Sequence, residues 1–78
     1  MKNLLQNLDA YRTDYVHLHR EAPFIRLQRK GPQAVAQTCL LTDVGTDFIE
    51  IGIPGGKNRQ LVSRDQIADV LILPREGK

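Results

Sequence analysis

Several groups of side chains in this sequence have the types that reactions or ligands require, and their spacing decides what each can do. Gly55-Gly56-Lys57 has the composition of a loop that cradles phosphate. A phosphate loop also needs a glycine five places before Gly56 and a hydroxyl after the lysine. Here Ile51 and Asn58 occupy those places and the segment leads into a strand, so it reads as a hairpin loop. His17 and His19 share a face only if their segment is extended. With no cysteine or carboxylate at ligand spacing beside them, they read as a surface pair near Arg20, and no metal site is expected. The acids Asp43, Asp47, Glu50, Asp65 and Asp69 offer general acid–base groups, but none stands in a nucleophile–base arrangement. A domain this small also has little room for a buried pocket of about 300 Å³. Turn-capping and surface roles suit these acids better. The expectation is a protein with no catalytic residues and no small-molecule cofactor.

The remaining chemistry is cationic. Arg26, Arg29 and Lys30 surround the first turn, Lys57 and Arg59 precede the fourth strand, and Arg75 and Lys78 lie in the tail. The formal charge of +2 neither demands nor forbids nucleic acid, because phosphate binding depends on where cations cluster. Repeated in an oligomer, even a few cations per subunit make a phosphate-attracting rim. Against this stands the plain reading of a solvated charged surface, since aromatic interleaving is thin. Phe24 and Phe48 are expected in the core, and Tyr11 and Tyr15 on the seam of a helix.

With 78 residues the chain has length for one domain, residues 1–78. At this size folding buries only about 60% of the unfolded surface, so stability without partners is marginal. Cys39 is the lone cysteine and lies in an apolar run, which excludes an internal disulfide and suits a buried thiol. A reducing cytoplasm is then the expected compartment. The first residues lack the apolar core of a leader, and no apolar run reaches the length of a membrane span, so no membrane partner is expected.

The elements that must position these residues are organised around a hairpin. Two apolar runs, Val35–Leu41 and Phe48–Ile53, flank the turn Asp43-Val44-Gly45-Thr46-Asp47. Ahead of it, Leu4, Leu8, Tyr11, Tyr15 and Leu18 fall in steps of four and three. They predict one apolar stripe on a helix within residues 1–20, with Asp9, Arg12 and Asp14 turned away. Tyr15–His19 also alternates as a strand does, and Ala22-Pro23 ends the helix in either case. Phe24–Arg29 alternates as a first strand, and Lys30-Gly31-Pro32 turns the chain. Pro54–Asn58 is a second loop and Arg59–Val62 a short fourth strand. Ser63-Arg64-Asp65-Gln66 has capping-box spacing but runs at once into the next strand, which predicts a single 3₁₀ turn. Ala68–Leu73 is the fifth strand, and residues 74–78 form a loose tail.

One helix followed by five short strands predicts a mainly β fold. It is an N-terminal helix over a strongly bent, five-stranded barrel of SH3-like or Sm-like type, spanning residues 24–73. The fifth strand is apolar on both faces, Val70 and Ile72 on one side and Leu71 and Leu73 on the other. One face fills the barrel, and the other needs the helix or a neighbouring subunit. Leu61, Val62, Val70, Leu71, Ile72 and Leu73 are therefore the expected oligomer interface.

The hairpin and the last two strands resemble the Sm-like family, which takes in the Sm, Lsm and Hfq proteins. Its first motif runs aspartate, two variable residues, a stacking residue, an asparagine and three apolar residues. Asp43 matches the aspartate, Thr46 the stacking position and Asp47 the asparagine. Its second motif, apolar-Arg-Gly-x-x-apolar, aligns with Val62, Ser63, Arg64, Asp65, Gln66 and Ile67. The resemblance implies a homo-oligomeric ring in which strand four of one subunit pairs with strand five of the next. It also implies single-stranded RNA as ligand, near Thr46, Asp47, Ser63 and Arg64. The departures bear on that ligand. Thr46 has no ring to stack on a base, where stacking contributes about 1–3 kcal/mol. Asp47 only accepts hydrogen bonds where asparagine also donates, and arginine is displaced one place to Arg64. One expectation is that Arg64 turns inward to pair with Asp47. Two readings stay open: RNA on a rim of Arg26, Arg29, Lys30, Lys57 and Arg59, or a scaffold ring that binds no nucleic acid.

Overall fold

A computed structural model describes residues 3–32 and 34–73; the predicted tail, with Arg75 and Lys78, lies outside them. Helix α1 spans Leu4–His19. It starts where Asn3 and Gln6 satisfy each other's free backbone donors: the Asn3 side chain accepts from the Gln6 N–H at 2.9 Å, and the Gln6 side chain from the Asn3 N–H at 3.0 Å. It stops at Arg20, left-handed at φ 60°, whose N–H donates to the Val16 carbonyl. The segment Tyr15–His19 is therefore helix, and it ends before Pro23 is reached.

The buried stripe is rotated from the expected one. Leu5, Leu8 and Tyr15 are buried, Leu4 is only partly so, and Leu18 is exposed. Steps of three and four from Leu5 lead through Leu8, Arg12 and Tyr15 to His19, whose ring lies 4.4 Å from that of Tyr15. Arg12 thus belongs to the inward row rather than to the solvent face.

Strands β1 (Phe24–Arg29), β2 (Gln37–Val44), β3 (Phe48–Gly52), β4 (Arg59–Ser63) and β5 (Ile67–Ile72) form one antiparallel sheet in the order β4-β3-β2-β1-β5. A 3₁₀ turn over Arg64–Gln66 joins β4 to β5, the two outermost strands. In a flat sheet those strands stand four spacings, about 19 Å, apart. Four peptide steps from Ser63 to Ile67 reach at most about 14 Å. The sheet must bend to make this connection.

It does not close. β4 and β5 share no ladder, so the predicted barrel is an open, bent sheet with two edges. Two backbone bonds of 2.8 Å hold the 3₁₀ turn, Arg64 N–H to the Asp47 carbonyl and Lys30 N–H to the Gln66 carbonyl. The segment is the single 3₁₀ turn its spacing predicts, and the Ser63 side chain caps nothing. The turn gives way to a strand before a first helical turn is complete.

Period-two alternation sets the core. Ile25 and Leu27, Cys39 and Leu41, Ile49 and Ile51, Val62 and Ile67 are buried on the concave face, with Leu5 and Leu8 of α1 among them. The same alternation corrects Phe24, which precedes inward Ile25 and faces out, exposed. Phe48 precedes Ile49 and is half-buried; its ring lies against Gly45, where an added Cβ would collide with it. A bulge at Thr42 carries β2 past Leu41 to Val44, and the Thr42 hydroxyl donates to the Glu50 carbonyl.

The expected interface residues divide. Val62 belongs to its own core, and Val70 packs against it opposite Leu27. Leu73 is half-buried. Leu61, Leu71 and Ile72 are exposed by 64%, 54% and 43%. Among the described residues, no helix is long and apolar enough to cross a membrane.

Candidate functional site

The β2–β3 turn is closed by Gly45 N–H donating to the Phe48 carbonyl at 2.8 Å, which leaves Thr46 and Asp47 exposed at its apex. Phe48 pairs with Ser63 across β3 and β4, and the Asp47 carbonyl accepts from Arg64 N–H. Thr46, Asp47, Ser63 and Arg64, far apart in sequence, therefore meet at one end of the sheet, all exposed. The link between the two segments runs through the backbone. The Arg64 guanidinium instead donates to the Ile67 carbonyl at 3.1 Å, so the expected Asp47–Arg64 side-chain pair is not made. The guanidinium is folded over its own 3₁₀ turn.

Beside this turn the first turns of α1 open a cleft of about 300 Å³, lined by Asn3, Leu5, Gln6, Asp9, Gly45 and Thr46. It is a surface concavity between helix and turn. The amides of Asn3 and Gln6 are engaged in the helix cap, so Asp9 supplies its charge. Arg12 lies 3.9 Å from Asp9 and 3.9 Å from Asp43, tying the helix to β2. Asp47 stands at the turn itself. Carboxylates accept hydrogen bonds and repel phosphate, so this end favours donors and cations over a nucleic-acid backbone.

The cations are spread over other surfaces. Arg26 is exposed on the convex face, paired with Thr38 on one side and Leu71 on the other. Lys30 and Lys57 are exposed in loops, and Arg59 is exposed on the β4 edge, 3.8 Å from Glu50. Arg29 follows the inward alternation of Ile25 and Leu27. It is half-buried and donates to the Gln60 side chain at 2.9 Å.

The other sequence candidates have structural settings. Pro54-Gly55 forms the centre of a turn closed by Gly56 N–H to the Ile53 carbonyl, with Gly55 at φ 80°, a conformation that favours glycine. His17 and His19, two apart on a helix, point about 200° from one another. Cys39 is fully buried, and burial pushes its thiol above the ordinary range, with the Arg29 charge pulling the other way. Burial, with Tyr15 beside it, likewise pushes the Tyr11 hydroxyl up.

Sequence reasoning missed Arg12 and Arg29 as inward-facing groups. The signal for Arg12 was its spacing, four after Leu8 and three before Tyr15. For Arg29 it was the continued alternation after Leu27. The chain matches no protein-family model, no curated protein and no solved structure.

Proposed function

We propose that the chain is a non-catalytic, Sm-like building block that assembles edge to edge into a closed homo-oligomer. Single-stranded RNA is then the ligand of its basic rim. One observation carries the assembly: among the described residues β4 and β5 are the two unpaired edges of the sheet, and Leu61, Leu71 and Ile72 are exposed on them. An unpaired edge with apolar side chains is a template for another strand. Copies that pair edge to edge supply each ladder with a partner and remove those side chains from water. The bent sheet, open within one subunit, becomes part of a continuous wall.

In such an assembly Arg26, Lys30, Lys57 and Arg59 repeat once per copy, and they, rather than the acidic junction at Thr46 and Asp47, make the rim. A rim of this kind holds phosphate by charge and depends steeply on salt. The test is titration of labelled oligo-uridine and oligo-adenine at low and moderate salt, with solution mass followed in parallel. Binding that falls steeply with salt supports the RNA reading.

A second reading, a scaffold that binds no nucleic acid, has its own support. Asp9 and Asp47 gather near Thr46, with Asp43 joined to Asp9 through Arg12, and Thr46 offers no ring for a base. An intact oligomer with no binding at low salt would establish this reading over the first.

A further inference from the structure

We propose that the end of the sheet opposite the acidic turn docks on an anionic lipid bilayer, with Val35 and Ile53 inserting between the headgroups. Such a contact is made at the surface and needs no spanning segment.

Topology gathers the parts. β1 to β4 are successive antiparallel neighbours, so the β1–β2 and β3–β4 loops leave the sheet at one end. The β2–β3 turn, with Thr46 and Asp47, lies at the other. Val35 stands in the first loop and Ile53 in the second. Neither loop contains an aspartate or glutamate, while Lys30 and Lys57 lie within them and Arg59 at the root of the second.

Both aliphatic side chains are held in water by backbone bonds. Val35 is 80% exposed and follows Ala34, whose N–H donates to the Gly31 carbonyl at 3.3 Å. The Ala34 carbonyl in turn accepts from the Gln28 side chain at 3.2 Å. Ile53 is 47% exposed, and its carbonyl closes the Pro54-Gly55 turn by accepting from Gly56 N–H at 2.8 Å. Loops pinned in this way present their tips already arranged, so little order has to be gained on binding.

Charge selects the kind of surface. Lys30 and Lys57 are exposed and form no ion pair among the described residues, while Arg59 lies 3.8 Å from Glu50. Asp65 and Asp69 stand outside both loops, on the β5 side of the sheet. At the opposite end Asp9, Asp43 and Asp47 gather around the turn and Arg12. The molecule is therefore cationic and aliphatic at one end and acidic at the other, and an anionic surface meets it in one orientation. Each cation near such a surface strengthens binding about fivefold. Aliphatic side chains that pass the headgroups add a contribution that salt does not screen. Single-stranded RNA would use the same cations, but neither loop carries an aromatic ring on which a base could stack. Val35 and Ile53 are thus the residues that separate a bilayer from RNA.

The test is sedimentation of the full chain with vesicles of phosphatidylcholine alone, or of phosphatidylcholine with phosphatidylserine, at low and moderate salt. Wild type should bind the mixed vesicles several-fold better than the neutral ones and keep part of that binding at moderate salt. Lys30→Gln with Lys57→Gln should lose most of it. Val35→Ser with Ile53→Ser should bind several-fold more weakly while its oligo-uridine titration matches wild type. Both positions are exposed, so neither change reaches the core. No sedimentation with mixed vesicles at low salt overturns the proposal, as does equal binding to neutral ones. Full binding by the Val35→Ser, Ile53→Ser chain, or loss of oligo-uridine binding in it, also overturns the proposal. Vesicle binding by a chain that light scattering finds monomeric supports the bilayer contact and removes only the assembly.

The chain has no tryptophan, so Val35→Trp reports insertion directly. Its emission should shift to the blue on mixed vesicles, and that of Thr46→Trp, at the acidic end, should not. A shift in Thr46→Trp alone would reverse the orientation and contradict the proposal.

Discussion

Arg29 on β1 donates a 2.9 Å hydrogen bond to Gln60 on β4, although their strands stand three places apart in the sheet. The contact spans the concave side and exists because the sheet is bent. Replacing Arg29 with Ala should lower stability by about 0.5–1.5 kcal/mol, the net worth of such a bond. Gln60→Ala should cost a similar amount and the double variant little more, since the two share one interaction. Urea denaturation of the four proteins checks this. Simple additivity would mean the contact contributes nothing in solution.

Cys39 gives the fold an alkaline limit. Burial holds its thiol above its ordinary value of about 9.0, so the folded chain keeps a proton that the unfolded chain gives up. The contribution is therefore full below pH of about 9 and is lost as pH rises through the folded value. Tyr11, raised in the same direction, adds to the loss at still higher pH. Thermal melts of wild type and Cys39→Ala between pH 7 and 10.5 should show a shallower alkaline decline in the variant. Parallel declines would remove Cys39 from the account.

Gly45 is held to glycine by its neighbour. A Cβ there meets the Phe48 ring, so Gly45→Ala should cost about 1–3 kcal/mol through overpacking. Adding Phe48→Leu should return part of that loss. Denaturation of the single and double variants reads the effect directly, and a neutral Gly45→Ala would show that the ring simply moves aside.

The two capping-box sequences should behave differently. Asn3 and Gln6 make both reciprocal bonds, and Asn3→Ala should cost about 1 kcal/mol. Ser63 makes no such bond, and Ser63→Ala should stay within about 0.5 kcal/mol of wild type. An equal loss at both sites would contradict the distinction.

That contrast also shows what the sequence discloses. Local chemistry was legible: the alternation at Ile25 and Leu27, the turn at Pro54-Gly55, and the short 3₁₀ step after Ser63 all follow from neighbouring residues. The helix and five strands could be read for the same reason. Which way the helix faces could not, because Leu4 and Leu5 are equally apolar and only packing on the sheet selects Leu5. The bulge at Thr42 depends on Glu50 across the ladder, so β2 extends further than its own residues indicate. Whether the bent sheet closes is likewise a matter of strands far apart in sequence. At the candidate site, the turn carrying Thr46 and Asp47 meets Ser63 and Arg64. The join through the Asp47 carbonyl, with the guanidinium turned to Ile67, lies beyond what side-chain identities can convey.

Everything proposed for function depends on exposed edges finding partners of their own kind. Solution mass by light scattering over a range of protein concentrations, for wild type and for Leu61→Lys with Leu71→Lys, tests it most directly. The account predicts a stable multiple of 8.8 kDa for wild type and a shift to the single-chain mass for the double variant, with the fold intact. A wild-type chain that stays at 8.8 kDa at the highest concentration would contradict it.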